Sequence, residues 1–90
     1  MAQVGAQHIL VETQEQALAL HKQIQEGADF GQVAQQNSKC PSGQQGGNLG
    51  MFQQGMMVPQ FEQAAFALEV GGLSEPVETQ FGWHLIKRTA

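Results

Sequence analysis

The chain alternates short apolar runs with polar punctuation, and the period of each run predicts its element. Gln7 to Val11 (QHILV) is β-branched and aliphatic, which predicts a buried strand. Thr13 then opens a helix, with Gln16 three residues on to complete a capping box. Ala17, Leu20, His21 and Ile24 recur at helical spacing and share one face, and Gly27 stands where that helix stops. Asp29 caps a second helix with Gln32 as its box partner, and Phe30, Val33 and Ala34 form its apolar face. From Ser38 to Gly50 the period is lost. SKCPSGQQGGNLG reads as a loop with room for a single helical turn. A short strand is expected over Leu49–Phe52, then a turn at Gln53, Gln54 and Gly55. A third helix should run from Pro59 to about Leu68, with Phe61, Ala64, Ala65 and Leu68 on one face and Gly71 and Gly72 ending it. Pro76 to Thr79 reads as an edge strand, where a proline is tolerated. Gly82 to Thr89 is the last strand, with His84 and Ile86 on one side and Trp83, Leu85 and Lys87 on the other.

The predicted order is β-α-α-loop-β-α-β-β. Strands at both ends with helices between them indicate an α+β domain, the helices packed around a small antiparallel sheet. Ninety residues suffice for one domain, so residues 1–90 are expected to form a single unit. The first and last strands are the most apolar and are expected to be neighbours at the centre, which would bring His8 and His84 together.

Composition narrows the function. Charged residues are only 13% of the chain, so its polarity comes from Gln, the most frequent residue, and from 11 Gly. Four Lys and Arg against eight Asp and Glu give a net charge of −4, which argues against a nucleic-acid binder and against a polybasic membrane anchor. Periodic segments and 41% hydrophobic residues argue against disorder. One cysteine cannot form an internal disulfide, so Cys40 is buried filler, a reactive thiol or a site residue. The start, MAQVGAQHILV, lacks a basic and apolar leader, and no apolar run reaches ten residues. The expectation is a cytoplasmic monomer.

Four features can carry chemistry: His8 and His84 in apolar strands; Cys40 at the start of a Gly-rich loop; Met56, Met57, Phe61 and Phe81; and the glycine frames GGNLG and QFGWH. Each has an alternative reading. A strand histidine can be a hydrogen-bonded core residue, a single cysteine inert filler, and the Met and Phe residues core. The Gly-rich loop lacks the endings of a phosphate cradle. His8, Cys40 and His84 could hold zinc, but without ligand-like spacing. A cysteine hydrolase would need an orienting third member that nothing specifies.

Taken together, the blocks HILV (His8 to Val11), GADFGQVA (Gly27 to Ala34), SKCPSG (Ser38 to Gly43), GGNLGMF (Gly46 to Phe52), VPQFEQAAFAL (Val58 to Leu68) and TQFGWHLIKR (Thr79 to Arg88) resemble the parvulin peptidyl-prolyl cis/trans isomerases. The resemblance spans Gln7 to Arg88 and is closest to small, single-domain bacterial-type members. It implies a four-stranded antiparallel sheet wrapped by three to four helices, the parvulin (FKBP-like) fold. By the same resemblance His8 and His84 are the paired histidines at the floor of the site. Cys40 stands where the family has Cys or Asp, and Thr79 supplies a hydroxyl near the histidines. Leu49, Met57, Phe61 and Phe81 match the apolar positions that hold the substrate proline.

The implied activity is rotation of X-Pro bonds in proline-containing polypeptides, as in protein folding and chaperone work, with no metal, nucleotide or other cofactor. The role of Cys40 stays open between an electrostatic and a covalent one, with the electrostatic favoured because the family accepts Asp there. Phosphoserine-directed parvulins carry a basic loop between the first strand and first helix. Here that connection has no Lys or Arg, so no phosphate requirement is expected. The alternative function is a non-catalytic parvulin-fold module that holds extended chains.

Overall fold

A computed structural model describes residues 3–90; Met1 and Ala2, the first residues of the expected domain, lie outside the described residues. The elements run β1 (Gln3–Val11), α1 (Gln14–Gln25), α2 (Phe30–Asn37), a 3-10 turn (Pro41–Gln45), β2 (Asn48–Gln53), α3 (Pro59–Ala67), β3 (Val77–Thr79) and β4 (Gly82–Arg88). The four strands form one antiparallel sheet in the order β2-β1-β4-β3. The first and last strands are therefore the central pair, as their apolarity predicted, and Val77–Thr79 lies at an edge.

Side chains alternate across a strand, and here the alternation divides the core in two. Ile9 and Val11 of β1 and Leu85 of β4 bury against Ala17, Leu20, Phe30, Val33 and Ala34 from α1 and α2. Val4 and Ala6 of β1 and Ile86 of β4 bury on the opposite face with Phe52, Phe61 and Ala65. His8 and His84 belong to this second, even-numbered set. They must emerge on the face that α3 covers, and that parity places the site.

Local signals explain the helices. Thr13 accepts from Gln16 N–H while the Gln16 side chain accepts from Thr13 N–H, a complete capping box. Asp29 caps α2 by accepting from Gln32 N–H, but only this half of the expected box forms. α1 buries Ala17, Leu20 and His21, with Ile24 partly buried beside them.

Six boundaries differ from expectation; among them β2 starts at Asn48 and β3 at Val77, each a shift of a single residue. β1 begins at Gln3 rather than Gln7, because Gln3 to Ala6 pair with Gln53 to Gly50 of β2, a partner remote in sequence. Gln53 consequently ends a strand instead of opening a turn. β4 closes at Arg88, one residue short, as Thr89 N–H turns to Gly5 O. α3 ends at Ala67, ahead of Gly71 and Gly72, because Leu68 is extended and its carbonyl accepts from Arg88 Nη1 at 2.6 Å. The two glycines instead dock on β4, with Gly71 N–H donating to Arg88 O and Gly72 O accepting from Arg88 N–H.

A bulge has functional weight. Ala6 pairs with Gly50 and Gln7 with Asn48, so Leu49 faces no partner on β1. An extra residue of this kind bends its strand and re-aims the side chain. Leu49 is thereby delivered to the cavity described next.

Candidate active site

A cavity of about 480 Å³ opens on the α3 side of the sheet, within the range of small-ligand sites. His8 and His84 lie at its floor, both nearly inaccessible at 6% and 4% exposure. Leu49 enters from β2, Met57 and Val58 from the segment before α3, and Phe61 from the first turn of α3. Cys40 and Pro41 close the side formed by the 3-10 turn. Of the eight residues expected to form the site, seven line this cavity. The eighth, Thr79, sits behind His84.

The histidines are joined by a continuous hydrogen-bond chain. Thr79 Oγ1 is 2.7 Å from His84 Nε2, and His84 Nδ1 is 3.1 Å from His8 Nδ1. His8 Nε2 is 3.2 Å from Ser42 Oγ, which donates to Cys40 Sγ at 3.3 Å. The histidines thus reach Thr79 directly, but Cys40 only through Ser42. Ser42 was missed; its signal in the sequence was its place within SKCPSG, two residues after the cysteine.

Donor counting fixes the direction of the chain. Thr79 Oγ1 already accepts from Phe81 N–H at 3.2 Å. If His84 also donated to it, the buried threonine proton would have no acceptor. Thr79 therefore donates to His84 Nε2, and His84 Nδ1–H donates to His8 Nδ1. His8 Nε2–H then donates to Ser42, and Ser42 donates to Cys40. Among the described residues no buried side-chain nitrogen or oxygen lacks a partner. The chain needs both imidazoles neutral. Burial lowers the His8 pKa to about 4, with the neighbouring His84 as a second cause, and burial also lowers that of His84.

Phe61 supports the pair from above. Its ring meets both imidazoles edge-on with centroids 5.4 Å apart, and the imidazole planes lie within 18° of each other. Phe52 backs Phe61 at 6.1 Å, and Phe66 backs Phe52 at the same distance. Phe81 lines the cavity but is 62% exposed, so it forms a lip rather than a wall, as does Met56. Leu10 and Lys39 also line the cavity and were not expected.

Residues 7–90 match the family described as rotamase, PPIC-type PPIase domain. The chain belongs to the PPIC-type peptidyl-prolyl isomerases. It is 46% identical over 86 residues to foldase protein PrsA of Oceanobacillus iheyensis, covering 94% of this chain and 29% of that protein. It is 48% identical over 83 residues to foldase protein PrsA 4 of Bacillus cereus, covering 91% of this chain and 30% of that one. This PPIC-type domain thus spans about 30% of the length of those curated relatives. In the crystal structure of Bacillus anthracis PrsA the matching part superposes with a TM-score of 0.96 at 40% identity, covering 98% of this chain and 41% of that one. The solution structure of NmPin, the parvulin of Nitrosopumilus maritimus, superposes with a TM-score of 0.90 at 44% identity, covering 100% of this chain and 98% of that one. The PPIC-type domain therefore has the parvulin fold, and its family is that of the peptidyl-prolyl cis/trans isomerases.

Proposed function

We propose that the cavity grips a proline ring and lowers the X-Pro rotation barrier without any covalent step. The observation that carries this reading is the placing of an apolar cavity directly over a neutral, fully bonded chain that ends at Cys40. An amide bond rotates over a barrier of about 18–20 kcal/mol because resonance stiffens it. No bond breaks, so catalysis requires only that the twisted amide bind better than the planar one. The apolar walls disfavour the charge separation of the planar form. Leu49, Met57 and Phe61 hold the ring while the carbonyl before it turns.

Cys40 stands where that carbonyl passes. Ser42 occupies a lone pair of Sγ, which leaves the S–H proton free to point into the cavity as a weak donor. The histidines neither give nor take a proton in this mechanism. They hold the polarity of the chain and the position of Ser42.

The preferred substrates are unphosphorylated X-Pro segments in flexible or unfolded polypeptides. Two residues, Glu12 and Thr13, join β1 to α1, and neither is a cation that could meet a phosphate. Work as a foldase on unfolded clients is in keeping with the PrsA relatives named above.

NMR exchange spectroscopy on Ala-Leu-Pro-Phe tests the proposal. Catalysed cis/trans exchange is expected. Chemical-shift changes without exchange would instead make the domain a holding module. Phe61→Ala should cut kcat/KM by at least about tenfold, since losing a buried aromatic contact is worth more than 1.4 kcal/mol. Cys40→Asp should keep substantial activity; complete loss would favour a covalent thiol.

A further inference from the structure

We infer that the Glu12–Lys39 ion pair selects against an acidic residue immediately before the proline. The inference rests on the isomerase reading above and names the substrate class of the same cavity.

The geometry orients the substrate. With the proline ring at Leu49, Met57 and Phe61, the rotating carbonyl lies toward Cys40. That carbonyl belongs to the preceding residue, so the side chain of that residue leaves the cavity at the Cys40 end. Lys39 lines the cavity there. Its backbone is stitched to β1: Lys39 N–H donates to Leu10 O at 2.7 Å, and Leu10 N–H donates to Ser38 Oγ at 3.0 Å. The root of the lysine is thereby fixed at the mouth.

Among the described residues that line the cavity, Lys39 is the only cation, because both histidines are held neutral near pH 7. Its ammonium is already paired. Nζ lies 2.7 Å from Glu12 Oε1, with both side chains more than half exposed. The hydrogen bond from Lys39, then its charge, hold the Glu12 carboxyl below its ordinary range. An arriving Asp or Glu side chain thus meets a lysine already matched, plus the carboxylate that matches it, on a chain of net charge −4. It must displace Glu12 or be repelled. A neutral or basic side chain meets neither obstacle. Solvent screening of so exposed a pair limits the expected selection to a few-fold.

The test compares kcat/KM on Ala-Glu-Pro-Phe and Ala-Leu-Pro-Phe at low ionic strength, by the same exchange method. The unaltered domain should favour the Leu peptide. In Glu12→Gln the Glu/Leu ratio should rise about two- to fivefold. In Lys39→Gln, which leaves the Glu12 carboxylate without its partner beside the cavity-lining position 39, it should fall. In 1 M salt, where the screening length shrinks to about 3 Å, the three proteins should converge. An unchanged ratio in Glu12→Gln, with the Leu peptide still turned over, overturns the selectivity and leaves the isomerase reading standing. Failure of the unaltered domain to catalyse either peptide overturns both.

Discussion

At the scale of single residues, the site depends on two imidazoles kept neutral by burial. His8 holds a pKa of about 4 against an ordinary 6.5, so between these values the unfolded chain takes up a proton that the folded one refuses. Stability is then fully present above pH 6.5 and falls as the pH drops toward 4, by on the order of 3 kcal/mol for His8. Urea melts at pH 7.5, 5.5 and 4.5 should show this slope, and a flat profile would contradict the neutral pair. Activity follows the folded values rather than the ordinary one. The profile of kcat/KM should show no inflection at the ordinary 6.5, and any loss in acid should set in only below it. A histidine-like inflection at 6.5 would mean that one imidazole is exposed enough to charge in the working enzyme.

Between elements, backbone contact positions the histidines. Gly47 O accepts from His8 N–H at 2.9 Å, and a Cβ on Gly47 would stand 2.2 Å from His8 O. Its φ of +79° is also a conformation that side chains resist. Gly47→Ala should therefore destabilise the domain by at least about 2 kcal/mol and lower activity through His8. Gly50→Ala has a similar φ of +70° but open space around it, and should cost only about 1 kcal/mol. Equal costs would mean that the contact with β1 does not matter.

This contact also shows what could be read from the sequence. Helix caps at Thr13 and Asp29 act within four residues, so the chain announces them. The parity of His8 and His84 was legible for the same reason: alternation is local, and only the pairing of the two strands had to be supplied. Lys39 was not legible as part of the site, and Ser42 only through its nearness to Cys40 in SKCPSG. Their places come from the Ser38–Leu10 and Gly47–His8 contacts, which join segments 28 and 39 residues apart. The stop of α3 at Ala67 was hidden likewise, since Arg88 decides it from 20 residues away.

For the molecule as a whole, the joining of the first strand to the last has a mechanical consequence. Gly5 N–H donates to Ala90 O at 3.1 Å, so both ends leave the sheet at one corner. Tension applied to them loads β1 and β4 as a zipper, one rung at a time, beginning at Ala6–Arg88. Handles at residues 12 and 90 would pull the same two strands from opposite ends and load all their rungs together. Single-molecule stretching should find the first arrangement yielding at lower force, and equal forces would mean that this strand pair does not bear the load. His8 sits on the third rung and His84 on the fifth. A pull on the ends therefore parts the imidazoles when the zipper is half open, and rotamase activity should vanish under loads that leave both helices on the far face of the sheet still folded.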